Sequence, residues 1–302
     1  MRSRTRCTVT IPDDGIAPVS AKNARHLNLP QNARRRICWQ TALPHPLALT
    51  ASALSRLARL AQLCALACAL LMTVGAHEAG AKTAVMAGPQ RLEVDGGPDA
   101  FYYRPKGRGL KPVIVYLHGR GNNPEDDCRN WAKVATQFGW VLCPQGPEDR
   151  GGGSRAWDNN AVAGEEIVTK SLQALHTKFR GRVQTRGNVL IGFSEGAFIA
   201  MQLGIHQPKT WNRWLILAAN DQYWLGDAAT RLHDERRDIR KVYLLTGEND
   251  GVAESTTRVG ELVKAQKIPV RVKIAPGMGH EVPGDRMITT YRRPLLWLTS
   301  TH

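Results

Sequence analysis

Three residue types that can together cleave an acyl bond occur in order along the chain: Ser194, Asp250 and His280. A serine hydroxyl is a weak nucleophile until a base takes its proton during attack, and histidine is the residue most often used for that. A carboxylate behind the histidine fixes its tautomer and stabilises the imidazolium that forms. Ser194 sits in "GFSEG", where Gly192, Ser194 and Gly196 make G-x-S-x-G, a pattern that lifts a serine on a strained turn between strand and helix. The glycines remove Cβ atoms that would collide with the neighbouring strand or helix. The oxyanion formed on attack needs preorganised donors, each worth roughly 3–4 kcal/mol. The backbone N–H of Glu195, next after the serine, and that of Arg120 in "HGRG" are the candidates.

Ordinary readings compete with these. Asp250 in "GENDG" could serve as a turn aspartate, His280 in "GMGHEV" could be a loop histidine, and Glu248 and Asp221 are rival acids. His118 is read as structural, because it sits in the same turn as Arg120. Glu195, if ionised and turned toward the site, adds a second negative charge beside His280 and is predicted to favour the imidazolium. What weighs against chance is the common placement: each candidate follows an apolar run that reads as a strand.

Those runs alternate with helical patterns. "RLEVDG" and "AFYYRP" precede the continuous apolar run "PVIVYLHG", which reads as a buried strand. "EDDCRNWAKVATQFG" is a helix with acids in its first turn, and "WVLCPQG" is the next strand. "PEDRGGGSRAWDN" reads as a long glycine-rich loop, the kind that tends to carry function. An amphipathic helix over "AVAGEEIVTKSLQALHTKF" leads to "NVLIGF", its helix, and the strands "RWLILAA", "KVYLLTG" and "VRVKIAP". Helices at "STTRVGELVKAQK" and "RRPLLWLTS" complete the pattern. Such alternation predicts a mostly parallel central sheet with helices on both faces, and function at the carboxyl ends of its strands. Only about twenty residues join "LILAA" to "KVYLL", so no large lid domain is expected over the site.

The first eighty residues follow another logic. Residues 1–53 mix Arg, Pro, Asn and Thr without a period and read as a disordered or mis-assigned extension. Residues 54–81 have a basic flank (Arg56, Arg59), an apolar run and a small-residue "AGA" end, the layout of an export signal cut after Ala81. The apolar run is at the short edge for a membrane span; left uncut, it would be the only membrane contact. Residues 82–302 then form the exported domain, periplasmic or secreted. They carry 31 basic against 23 acidic residues, +8 of the total +15. The basic residues are scattered and not interleaved with aromatics, which argues against nucleic-acid binding. Of six cysteines, Cys128 and Cys143 remain in this part, a pair that export permits to oxidise; two buried thiols are the alternative.

From about Val113 to Pro283, the consecutive segments "YLHGRGNN", "CPQGPEDRGGGSRAWDN", "GFSEGAFIAM", "LLTGENDGV" and "GHEVP" resemble the phospholipase/carboxylesterase group of small lidless serine esterases in the α/β-hydrolase superfamily. The order Ser, Asp, His is that of the superfamily. The resemblance implies hydrolysis of small or medium acyl esters through an acyl-enzyme, without cofactor or metal, with a small-molecule ester as partner. Two departures stand out: Glu195 where that group often has Gln, and the export signal. A serine peptidase or amidase, a polyester depolymerase, and a catalytically silent binding protein of the same fold are the rivals. By position, Trp157 either lines the acyl or alcohol pocket or anchors its loop on the core. Arg155 either meets an anionic substrate group or is simply solvated. Helices in this fold run antiparallel to the strands. The opening turn of the Cys128 helix and the carboxyl end of the Cys143 strand therefore lie on one side of the sheet, which favours a bridge.

Overall fold

The structure, a computed structural model, describes residues 87–224 and 227–301, within the compact unit Thr83–His302. The extension 1–53 and the export signal 54–81 lie outside the described residues. Eight strands form one sheet: β1 (Gln90–Leu92), β2 (Ala100–Tyr103), β3 (Val113–Leu117), β4 (Trp140–Cys143), β7 (Asn188–Phe193), β8 (Trp211–Leu217), β9 (Lys241–Gly247) and β10 (Val270–Ala275). Their spatial order is β1-β2-β4-β3-β7-β8-β9-β10. The pairs β1/β2 and β2/β4 are antiparallel and all others are parallel.

The apolar runs are buried on both faces, and successive side chains take opposite faces. In β3, Val113, Val115 and Leu117 enter one core while Ile114 and Tyr116 enter the other. Helices α1 (Pro124–Ala135) and α6 (Met287–Thr299) cover the second core through Trp131, Tyr291 and Leu295. Helices α2 (Ala161–Lys178), α3 (Glu195–His206), α4 (Ala228–Glu235) and α5 (Ala253–Ala265) cover the first. Helix α1 starts where the sequence dictates. Asn123 caps it by accepting from the N–H of Glu125 at 2.9 Å, Pro124 needs no donor there, and three acids occupy the first turn.

Two connections are more ordered than their sequence suggests. Instead of a loop, "EDRGGGSRA" forms a hairpin of β5 (Glu148–Gly151) and β6 (Ser154–Ala156), turned through Gly151, Gly152 and Gly153 at positive φ. The β8–β9 connection carries a 3₁₀ turn at Asp221–Tyr223 and helix α4, and no lid domain is inserted among the described residues.

Cys128 and Cys143 are joined, with Cα atoms 5.8 Å apart. Both are buried, so the bridge ties α1 to the end of β4 inside the second core. On the loop-entropy account, closing a loop of this size is worth about 3 kcal/mol. Replacing both cysteines by alanine is expected to lower unfolding stability by about that amount, measured by guanidinium denaturation. Equal stability of the two proteins would mean that the bridge does not constrain the unfolded chain.

Candidate active site

Strand β7 ends at Phe193 and α3 begins at Glu195, which leaves Ser194 alone in the turn with φ 54° and ψ −117°. A non-glycine residue held at positive φ costs roughly 1–3 kcal/mol and persists only where its surroundings over-determine it. Here the glycines do so. A Cβ on Gly192 would stand 2.3 Å from the carbonyl oxygen of Gly196, and one on Gly196 would stand 2.2 Å from that of Leu117. The sharp turn therefore presses the start of α3 against β3, and the N–H of Ser194 donates to Leu217 at 3.1 Å.

The three residues singled out in the sequence meet at the carboxyl end of the sheet. His280 Nε2 lies 2.9 Å from Ser194 Oγ, and its Nδ1 lies 2.9 and 3.0 Å from the two Asp250 oxygens. Asp250 is buried. It also accepts from Thr246 Oγ1 at 2.6 Å and from the N–H of Val252 at 3.1 Å, so its orientation is fixed from three sides. The His280 ring lies 5.0 Å from the Phe193 ring. The rival acids are engaged elsewhere: Glu248 accepts from the N–H of Gly277, and Asp221 pairs with Arg258 at 2.6 Å.

Glu195 does not do what its position suggested. Its carboxylate is almost fully buried and turns toward the segment that follows the hairpin. There it accepts from the N–H of Trp157 at 2.9 Å and of Asn159 at 3.0 Å, and from Arg120 Nη2 at 2.6 Å. The expected second charge beside His280 is thus answered by a guanidinium and two backbone dipoles. The carboxylate makes its hydrogen bonds to these donors, and none to His280 among the described residues. Backbone N–H groups at a helix N-terminus lack intrahelical partners, and Glu195 supplies one at the first position of α3. Arg120 lines the same pocket as Ser194 and Glu195.

The two substrate-contact candidates are corrected. Trp157 is fully buried, with Nε1 donating to the His118 carbonyl at 2.9 Å; it anchors the hairpin on the core instead of lining the pocket. Arg155 is mostly buried too. Its Nε and Nη2 donate to the carbonyls of Gly146 and Pro147, and it pairs with Asp149 at 3.2 Å, so it clamps the base of the hairpin. The pocket, about 260 Å³, is instead walled by Phe198, Ala218 and Val252, with Asn159 and Asn220 as polar groups. The sequence offered one signal for these. Phe198 lies one helical turn after Ser194, on the same face.

His118 is structural, as read. Its Nε2 accepts from the N–H of Gly146 at 2.9 Å, which leaves Nδ1 to donate to the Gly119 carbonyl at 2.8 Å. Burial pushes its pKa down to about 4.

No model of a protein family and no curated protein matches the sequence. Solved structures do match the fold. One is a fluorophosphonate-binding serine hydrolase of Staphylococcus aureus, at 14% identity and TM-score 0.54 over 71% of this chain and 100% of that one. A carboxyl esterase 2 of the fungus Tuber melanosporum aligns at 15% and 0.53 over 72% and 90%. An S-formylglutathione hydrolase of S. aureus aligns at 12% and 0.52 over 72% and 99%. At these identities the likeness establishes architecture: the chain has the α/β-hydrolase fold.

Two expectations follow from this site. Glu195→Gln leaves one oxygen for three donors and turns an amide N–H₂ toward one of them, an unmade-bond cost of about 1–3 kcal/mol in denaturant unfolding. Unchanged unfolding stability in that variant would mean that the three donors do not depend on the second carboxylate oxygen. For His118, the unfolded chain takes up a proton near pH 6.5 and the folded chain only near 4. Its contribution is therefore present above pH 6.5 and lost as pH falls toward 4, by up to about 3 kcal/mol. His118→Asn should flatten that part of the stability profile, measured by urea denaturation across this range; an unchanged slope would overturn the assignment.

Proposed function

We propose that the domain is a serine hydrolase that cleaves small neutral carboxylic esters through an acyl-enzyme. The observation that carries this reading is the relay of hydrogen-bond distances from Asp250 through His280 to a serine held at φ 54°. In it, His280 takes the Ser194 proton as Oγ attacks the ester carbonyl, and Asp250 stabilises the imidazolium. The N–H groups of Glu195 and Arg120 receive the oxyanion. His280 then returns the proton to the departing alcohol, and water reverses the sequence on the acyl-serine.

The substrate class follows from the walls. A cavity of about 260 Å³ with Phe198, Ala218 and Val252 suits a short or medium acyl chain. The Arg120 guanidinium is engaged by Glu195, which favours a neutral ester over an anionic one. A buried disulfide supports an exported, periplasmic or secreted location, since such bridges persist in oxidising compartments.

The test is labelling with a fluorophosphonate probe, followed by turnover of a panel of esters and peptides. Wild type should label at Ser194 and show an acylation burst. Ser194→Ala should lose kcat by roughly 10⁶-fold with unchanged circular dichroism. Retained turnover in that variant would remove Ser194 from the mechanism. Faster peptide than ester cleavage would favour the peptidase reading, and absence of labelling the binding-protein reading.

A further inference from the structure

The opposite end of the sheet gathers what the sequence scatters. Arg186 precedes β7, Lys209 and Arg213 flank the start of β8, and Arg237 and Arg240 precede β9. Because these three strands are parallel neighbours, their amino ends lie side by side. All five cations line one open cleft of about 470 Å³, and Asp238 is the single carboxylate among its lining residues. None of the five makes a salt bridge among the described residues. Clustered like charges oppose the compact state, so the arrangement costs stability unless something negative occupies it.

One of the cations is built into the floor. Arg213 is half-buried, and its Nη1 donates to the Gly187 carbonyl and to Asn212 Oδ1 at 3.1 Å. Burial and the neighbouring Arg240 both push its guanidinium below the usual value. Gly187 holds φ 71°, and a Cβ there would stand 3.2 Å from Arg213 Nη1, so the glycine keeps the floor clear. The other four cations are exposed around it.

The lining chooses among anions. Four of the five cations are arginines, whose planar forks match phosphate oxygens in pairs. One phosphate, with a charge near −2, would leave most of the cluster uncompensated. No aromatic side chain lines the cleft to stack on a base, and no apolar one lines it to enter a bilayer. We propose that this cleft binds a small soluble anion carrying two or more linked phosphate groups. At roughly 3.3 Å per residue, the six residues of β7 place it about 20 Å from Ser194, so the site stands apart from the catalytic pocket.

Calorimetric titration of the full chain with inorganic pyrophosphate tests this, with orthophosphate and phosphatidylglycerol vesicles as comparison arms. Saturable pyrophosphate binding is expected, tighter than that of orthophosphate and weakened by added salt. Affinity should fall at least about tenfold in Arg186→Gln/Arg240→Gln, and independently in Lys209→Glu. Ester turnover by these variants should equal that of wild type, and their melting temperature should be equal or higher. The proposal is overturned by absence of saturable binding to wild type or by equal affinity in the variants. It is also overturned if binding is lost when Ser194 is blocked by fluorophosphonate, or if vesicles bind where pyrophosphate does not.

Discussion

The buried carboxylate of Glu195 is the constraint on which the candidate active end of this molecule depends. It stands at the first position of α3, immediately after the strained serine, and is held by three donors from two segments that share no secondary structure. Removing an ionised carboxylate from water is costly unless donors replace the water. Two N–H groups and a guanidinium do so here, and those donors belong to the loop after β3 and the turn after the hairpin. Satisfying one charge therefore fixes Ser194, one proposed oxyanion donor and a pocket wall relative to one another. Because Arg120 is about half exposed, its own desolvation is modest and the pair avoids the full penalty of a buried ion pair.

The hairpin gains its order from the same network. Gly121 and Arg155 exchange backbone hydrogen bonds with the opposing chain, N–H of Gly121 to Arg155 at 2.8 Å and N–H of Arg155 to Asn122 at 2.9 Å. Ser154 Oγ adds a third, to the Gly121 carbonyl at 2.6 Å. Trp157 then seals the arrangement by filling the core beneath His118, the rings 5.1 Å apart. An aromatic residue at that place contributes through burial and one hydrogen bond, and reaches the substrate only by holding what does touch it.

This explains which parts were legible in the sequence. Strands β3, β4, β7, β8 and β9 are written as apolar runs because both sheet faces are covered, and the chemistry-bearing residues follow them because the strands are parallel. Ser194, Asp250 and His280 could thus be placed at one sheet end from order alone. The hairpin could not, since "EDRGGGSRA" has no apolar alternation and its pairing rests on backbone contacts to a distant loop. The directions of the Trp157, Arg155 and Glu195 side chains were equally hidden, because each depends on that hairpin. Asn159 and Asn220 enter the pocket from turns whose sequence carries no period at all.

Charge is legible in amount but not in place. A net +8 over residues 82–302 reads as a mild, diffuse surplus, yet parallel topology brings the connections before β7, β8 and β9 to one edge and concentrates five cations there. The end that carries Ser194 is treated oppositely: the Arg120 cation there is matched by a buried carboxylate, and Asp250 by His280 and two further donors. On the proposed reading, a neutral ester entering that end would meet no uncompensated guanidinium to hold its acid product, which would leave as an anion. Uncompensated positive charge beside Ser194 would stabilise the oxyanion and also retain the carboxylate product. On that reading, the Glu195–Arg120 pair would keep the donors in place while removing most of that retention, because its net charge is zero at the distance of the departing acid.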